Sequence, residues 1–171
     1  MASSFFRALE CYTRLVESTV RRVITGHGAD GVAKVLVDGA CSVRRLAPDL
    51  VRTSVWRTRE APAEIDLGAD VDDIAEHALP FAAGSRMLIF EFEPHYRSKL
   101  HRSETIDYAI VLEGEVELQL DAETVTLRAG DVAVQRGTNH VWINRGTITA
   151  RVAIVMVQAK PLGISTATTV A

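Results

Sequence analysis

The sequence has few cysteines, few aromatic residues and no long apolar run. Its 171 residues include two cysteines, Cys11 and Cys41, and 6% aromatic residues. Two thiols without a CxxC pair are too few for a disulfide framework, and this usage is typical of reduced thiols inside a cell. No apolar stretch approaches the roughly 20 residues of a membrane-spanning helix, and Arg7, Glu10 and Arg14 interrupt the place of a secretory signal. We therefore expect a cytoplasmic protein with no membrane partner.

Excess positive charge is also absent. The formal net charge is −3, and the adjacent basic pairs are Arg21-Arg22 and Arg44-Arg45. Nucleic-acid-binding domains usually carry a basic stripe, so we expect no nucleic-acid partner. With 47% hydrophobic and 24% charged residues, the composition is that of a soluble globular protein. The length predicts one domain with a sizeable core.

The first part of the chain predicts a helix followed by a hairpin. Four apolar residues recur at helical spacing within residues 1–18, namely Phe5, Leu9, Tyr12 and Val16. The segments VRRVI and VAKVLV flank Ala29-Asp30-Gly31, which is good turn chemistry for a β-hairpin. Residues 38–53 look irregular, and residues 54–58 predict a strand. The acidic segment 60–80 predicts a long loop, either a surface excursion or a lid.

Alternating apolar and polar residues dominate the remainder of the chain. Residues 86–92 predict a strand, VLEGEVEL predicts two strands that meet at Glu113-Gly114, and LRAGDVAVQ predicts two strands around a turn. Residues 148–159 predict a long apolar strand, and residues 161–171 a tail. Several short strands with regular turns favour an all-β sandwich or barrel over residues 19–160.

Two motifs in residues 95–144 resemble those of the cupin family, G(X)5HXH(X)3-4E(X)6G and G(X)5PXG(X)2H(X)3N. In the first motif His101 fills the first histidine position, and Asp107 fills the glutamate position six residues before Gly114. In the second motif Gly137, His140 and Asn144 keep the spacing. The chain departs from the pattern at several other positions. His95 replaces the first glycine, Ser103 replaces the second histidine, Gln135 replaces the proline, and Gly130 lies one residue too close.

The resemblance implies a jelly-roll β-barrel of the cupin type, here with an N-terminal α-helix. Small cupins commonly form homodimers, and the helix and the first hairpin are the expected contact. His101, Asp107 and His140 would then point into one cavity as catalytic residues. Two imidazoles and a carboxylate can also hold one divalent metal such as Fe, Mn, Ni or Zn. Because Ser103 is a poor ligand, Glu104 and His95 are candidate substitutes, and a metal-free proton-transfer site stays open.

Four further residues are candidates for substrate binding. Trp142 alternates with His140, and Gln135 could donate a hydrogen bond to a carbonyl of the substrate. Tyr108 and Arg136 are neighbouring candidates, although Tyr108 falls on the face of its strand opposite Asp107.

Fold resemblance alone does not choose a reaction. The leading hypothesis is an enzyme that polarises a carbonyl and moves a proton in a small oxygenated metabolite, such as a keto acid, another organic acid or a polyketide-like compound. Lyase or decarboxylase, isomerase or cyclase, and dioxygenase reactions all fit. The alternative is a non-catalytic cupin that binds a small ligand as a sensor or carrier. A sugar-nucleotide epimerase is disfavoured, because no basic cluster stands ready for a diphosphate.

Overall fold

The computed structural model describes residues 20–65 and 83–163. Within these ranges the chain forms eleven strands and no helix. Their bounds are β1 Arg21–His27, β2 Ala33–Ala40, β3 Ser42–Ala47, β4 Leu50–Arg57, β5 Ser85–Phe92, β6 Thr105–Glu113, β7 Glu115–Gln119, β8 Thr124–Arg128, β9 Val132–Arg136, β10 Val141–Ile143 and β11 Ala150–Gln158. The predicted helix in 1–18, most of the acidic segment and the end of the predicted tail lie outside the described residues.

The strands form three antiparallel sheets. The largest has six strands in the order β3-β4-β5-β11-β6-β9, and a second has three in the order β10-β7-β8. The third sheet is the β1-β2 hairpin that the turn at 29–31 predicts. Within the described ranges, the chain offers no helical stretch that could cross a membrane. The strands expected in 86–92, 148–159 and on both sides of Gly114 are confirmed.

A shared apolar core lies between the six-stranded and the three-stranded sheet. Phe92 stacks on Tyr96, with 4.7 Å between ring centroids, and also on Trp142. The same cluster includes Val116 and Leu118 from β7, opposite residues from β6 and β11. Burial of these side chains between two sheets is the main favourable contribution to this fold.

Alternation along β6 decides which side chains reach the interior. Asp107, Ala109 and Val111 are buried, whereas Tyr108 and Leu112 are 44% and 46% exposed. Because successive side chains of a strand point to opposite faces, Asp107 shares the inner face with the apolar core. The sequence-based assignment of these two faces is confirmed.

The prediction that residues 38–53 are irregular is wrong. This segment contains the end of β2, all of β3 and the start of β4, and β3 pairs with β4 along most of its length. The adjacent Arg44 and Arg45 break the alternation that would have revealed β3. Pairing with a neighbouring strand can override a weak local preference, and it does so here.

Asn144 ties the end of the second motif to the end of β5. Its side-chain Nδ2 donates to the carbonyl oxygens of Phe92 at 2.8 Å and Ile148 at 2.9 Å. Its Oδ1 accepts the backbone N–H of Gly146 at 2.8 Å. Asn144 therefore holds the turn that follows β10. The predicted homodimer stays a prediction.

Candidate functional site

His101 and His140 come from distant parts of the sequence and meet side by side. His140 directly precedes β10, and His101 lies in the segment between β5 and β6. The two residues form an isolated antiparallel bridge, and their ring centroids are 4.3 Å apart. The prediction that these two imidazoles converge is therefore confirmed by their positions.

Backbone carbonyls fix both imidazoles in the same way. Nδ1 of His101 lies 2.8 Å from the carbonyl oxygen of Lys99, and Nδ1 of His140 lies 2.9 Å from that of Thr138. A carbonyl oxygen can only accept a hydrogen bond, so each neutral ring carries its proton on Nδ1. Each Nε2 therefore presents a lone pair to a ligand.

Burial keeps His140 uncharged. The residue is 4% exposed, and this burial lowers the pKa of His140 to about 4, although the carbonyl of Thr138 acts in the opposite direction. The nearby His101 disfavours a second positive charge as well. His140 is consequently a neutral hydrogen-bond acceptor at neutral pH.

Asp107 lies near the histidines, and two hydroxyl groups hold its carboxyl group. The hydroxyl of Thr105 donates to Oδ1 at 2.5 Å, and that of Ser103 donates to Oδ2 at 3.4 Å. Burial raises the pKa of Asp107, while these hydrogen bonds partly oppose the rise. Ser103, which replaces a motif histidine, thus acts as a hydrogen-bond donor to Asp107.

The two histidines, Asp107 and Ser103 line one cavity of about 360 Å³. Its wall includes apolar side chains from the six-stranded sheet, namely Leu50, Leu88, Phe90, Phe92, Ile154 and Met156. Trp142 adds an aromatic wall, with its ring centroid 6.2 Å from that of His140. The pocket is mostly apolar with a few polar groups, which is the composition typical of small-molecule sites.

Gln135 is the least satisfied polar residue of this cavity. It is 4% exposed, yet neither its Oε1 nor its Nε2 has a hydrogen-bond partner among the described residues. It lies opposite Asp107 in the register of β6 and β9. A buried amide without partners costs stability, so this group is suited to a polar ligand atom.

Four other candidates do not line this cavity, which argues against the binding or ligand roles suggested for them. Tyr108 is half-exposed on the outer face of β6, because it alternates with the inward Asp107. Arg136 alternates with Gln135 and is exposed for the same reason, and Glu104 is exposed as well. Arg136 and Glu104 line a separate, smaller pocket. His95 is exposed in a turn with a positive φ of 67°.

Sequence reasoning missed two arginines that line the cavity, Arg52 on β4 and Arg86 on β5. Arg86 lies in register with Met156, which in turn lies opposite Asp107 on β6. The alternation of RMLIFEF offered a signal, because Arg86 shares a strand face with Leu88 and Phe90. Arg52 carried no such signal, since its segment was predicted to be irregular.

The metal that the family resemblance implies requires a third donor besides the two histidines. Each Nε2 is prepared as a ligand, because the opposite ring nitrogen donates to a carbonyl. Each oxygen of Asp107 accepts one hydroxyl group and keeps a further lone pair. Across residues 20–65 and 83–163 there is no group of three or more His, Cys, Asp or Glu residues that could hold a metal ion. As placed, the described residues supply two imidazole ligands but no group of three, and the metal-bound and metal-free sites both stay predictions.

Comparison with known proteins identifies the family. The model of the cupin domain matches residues 88–157. Phomopsin biosynthesis cluster protein D of Diaporthe leptostromiformis is 49% identical over 155 residues, which cover 85% of this chain and 82% of that protein. Cupin-domain-containing oxidoreductase virC of Hypocrea virens is 34% identical over 155 residues, with 86% of this chain and 79% of that protein covered.

A solved structure supports the same fold. The cupin domain of Cnp3 from Schizosaccharomyces pombe superposes with a TM-score of 0.52, covering 81% of this chain and 87% of that one. At 11% identity, this similarity concerns the fold alone. The match to the cupin domain and the similarity to a cupin-domain-containing relative show that the chain belongs to the cupin family.

Proposed function

We propose that this chain is an enzyme of secondary metabolism that transfers a proton next to a carbonyl group of a small, largely apolar metabolite. One observation carries the proposal. Two imidazoles with their centroids 4.3 Å apart are held in the same tautomer by backbone carbonyls, and both line one apolar cavity. Two lone pairs in a cavity with apolar walls are an arrangement suited to acid–base chemistry.

The names of the relatives support the broader part of this proposal. One similar protein is named for a phomopsin biosynthesis cluster, and another is named a cupin-domain-containing oxidoreductase. These names favour an enzyme that modifies a natural product. They leave the reaction open, so the chemical step rests on the groups in the cavity.

His101 is the better candidate for the base that accepts the proton. It is half-buried, whereas His140 is almost fully buried, so a positive charge on His101 costs less desolvation. His140 stays neutral and accepts a hydrogen bond from the substrate. Transfer of a proton from carbon to Nε2 of His101 leaves an enolate, whose oxygen accepts a hydrogen bond from the amide N–H of Gln135. Return of the proton to another atom completes an isomerisation, and loss of a leaving group completes an elimination.

Deuterium exchange tests this step without knowledge of the natural substrate. We expect the protein in D2O to accelerate exchange at the methylene next to the ketone of 4-oxo-4-phenylbutanoate, followed by proton NMR. His101→Gln should lower the rate roughly 10²- to 10⁴-fold, the usual contribution of a general base. Tyr108→Phe, on the outer face of the same barrel wall, is the matched control and should exchange at the wild-type rate.

A rate equal to that of buffer alone for the wild-type protein would contradict proton transfer. If the probe nevertheless binds, the non-catalytic alternative gains support, because the unpaired amide of Gln135 and the apolar wall serve a carrier or sensor equally well. Equal rates for the wild type and His101→Gln would remove His101 from the proposed chemistry.

A further inference from the structure

Arginine side chains from two neighbouring strands reach the cavity that the histidine pair lines. Arg52 on β4 and Arg86 on β5 are both half-buried and line the same cavity as the two histidines. Arg44 lies directly opposite Arg52 on β3, the edge strand of the sheet, and is exposed. Positive charge therefore extends from the edge of the six-stranded sheet into its inner face.

One nitrogen of the Arg52 guanidinium lacks an acceptor in the part of the chain that the structure describes. Its Nε is buried without a hydrogen-bond partner. Burial lowers the pKa of Arg52, and the like charge of Arg44 lowers it further. A guanidinium nitrogen that loses hydration without gaining an acceptor is costly, so an acceptor from a ligand would relieve the cost.

Arg86 adds a second guanidinium group to the same region. Its Nε contacts the thioether sulfur of Met156 at 3.2 Å, a weak acceptor. Burial lowers the pKa of Arg86, the neighbouring Arg52 lowers it further, and Asp107 opposes this effect. Because Arg52 and Arg86 repel each other, an anion between them would be stabilised by both.

We propose that Arg52 and Arg86 bind the carboxylate of a small organic acid, whose apolar body lies along Leu88, Phe90 and Ile154 and whose reacting carbon faces the histidines. The planar guanidinium matches a carboxylate well. The apolar wall and the volume of about 360 Å³ favour an acid with a hydrocarbon or aromatic body over a sugar phosphate. The exposed Arg44 would attract such an anion to the edge of the cavity.

This inference rests on the proposed function for the position of the reacting carbon, but the binding of the anion can be tested without any reaction. The probes are 4-oxo-4-phenylbutanoate and 4-oxo-4-phenylbutanamide, which differ in charge and little in shape. Binding is read from the imidazole carbon–proton resonances of His101 and His140, which report on this cavity alone. We expect the wild-type protein to bind the acid at least about tenfold more tightly than the amide.

Substitution then assigns the preference to the arginine. Arg52→Gln should weaken binding of the acid roughly 10- to 100-fold, as expected for a lost charged hydrogen bond, and leave binding of the amide unchanged. Arg52→Lys keeps the charge but loses the planar guanidinium group. Its affinity for the acid should lie between those of the wild type and Arg52→Gln. Arg136→Gln is the matched control, because this exposed arginine lies outside the cavity and should keep wild-type affinity for both probes.

Equal affinities for acid and amide in the wild type, or binding of neither, would overturn the anion site. An equal loss for both probes in Arg52→Gln would overturn it as well. If Arg52→Gln fails to fold, the comparison of the two probes on the wild type still decides.

The anion site and the proton transfer can fail separately. Suppose that deuterium exchange requires His101, but the keto amide exchanges as fast as the keto acid. The anion site is then wrong, and the proton transfer stands. Proton transfer is wrong if the preference for the acid holds while His101→Gln exchanges normally.

Discussion

The backbone N–H of His101 donates to the carbonyl oxygen of His140 at 3.1 Å, and the N–H of His140 donates to the carbonyl oxygen of His101 at 2.9 Å. This reciprocal pair fixes the separation of the two residues through main-chain atoms. Substitution of either side chain leaves these hydrogen bonds in place. The imidazoles can therefore be changed one at a time, with the geometry of the neighbouring position retained.

The first prediction concerns the dependence of stability on pH. Because burial lowers the pKa of His140 to about 4 from its ordinary 6.5, only the unfolded chain binds a proton there between these values. The free energy of unfolding should therefore fall as the pH falls through this window. The loss in the free energy of unfolding from this residue is roughly 3 kcal/mol once the pH is below both pKa values. About 2 kcal/mol of this loss has occurred by pH 5. Urea unfolding at pH 7, 6 and 5 measures it.

His140→Gln is the reference for this measurement, because it cannot bind a proton at this position. Its stability should fall between pH 7 and 5 by about 2 kcal/mol less than that of the wild type. Asp107 acts with the opposite sign, since its raised pKa favours the folded chain as the pH falls. Its effect is present in both proteins and cancels in the difference. Parallel stability curves for the two proteins would show that His140 is not held neutral by burial.

Much of the fold could be predicted from local patterns. Alternation in β6 assigned Asp107 and Tyr108 to opposite faces, and the structure agrees. The glycine at 114 marked the turn between β6 and β7, where its φ is 75° and a Cβ would lie 3.1 Å from that of Ala150. The resemblance to the two cupin motifs implied that His101 and His140 converge, and their positions agree.

Residues that depend on the order of strands in the sheet could not be predicted. β5 lies between β4 and β11, so Arg86 faces partners that are far away in sequence. Arg52 reaches the cavity through the pairing of β4 with β5, and no local pattern reports this pairing. The candidate Arg136 was suggested by its neighbour Gln135, yet alternation turns it to the surface. A one-residue step in a strand therefore separates a cavity residue from an exposed one.

The second prediction concerns metal content. Two imidazole donors are available, and no group of three ligand residues exists among the residues that the structure describes. We therefore expect the purified protein to hold well under one equivalent of Fe, Mn, Ni or Zn after dialysis against a weak chelator. Elemental analysis measures it, with His140→Ala as the control. One full equivalent in the wild type that is lost in His140→Ala would restore the metal centre and require a further donor.

The last prediction separates stability from binding at Gln135. Both amide atoms are buried without a partner, so Gln135→Leu removes a desolvation cost and should raise the free energy of unfolding by about 1–3 kcal/mol. The same change removes the donor that we assign to the substrate carbonyl, so affinity for 4-oxo-4-phenylbutanoate should fall roughly tenfold. Residues of binding sites commonly show this opposition between stability and function.

Gln158→Leu is the matched control, because Gln158 lies at the end of β11 outside the cavity and is only half-buried. It should change stability by less than about 0.5 kcal/mol, as is usual for substitutions away from the core, and leave binding of the probe unchanged. Urea unfolding and titration of the imidazole resonances provide the two measurements on both variants. A Gln135→Leu protein that is less stable than the wild type would mean that the amide has a structural partner, and the site would then lose its assigned donor.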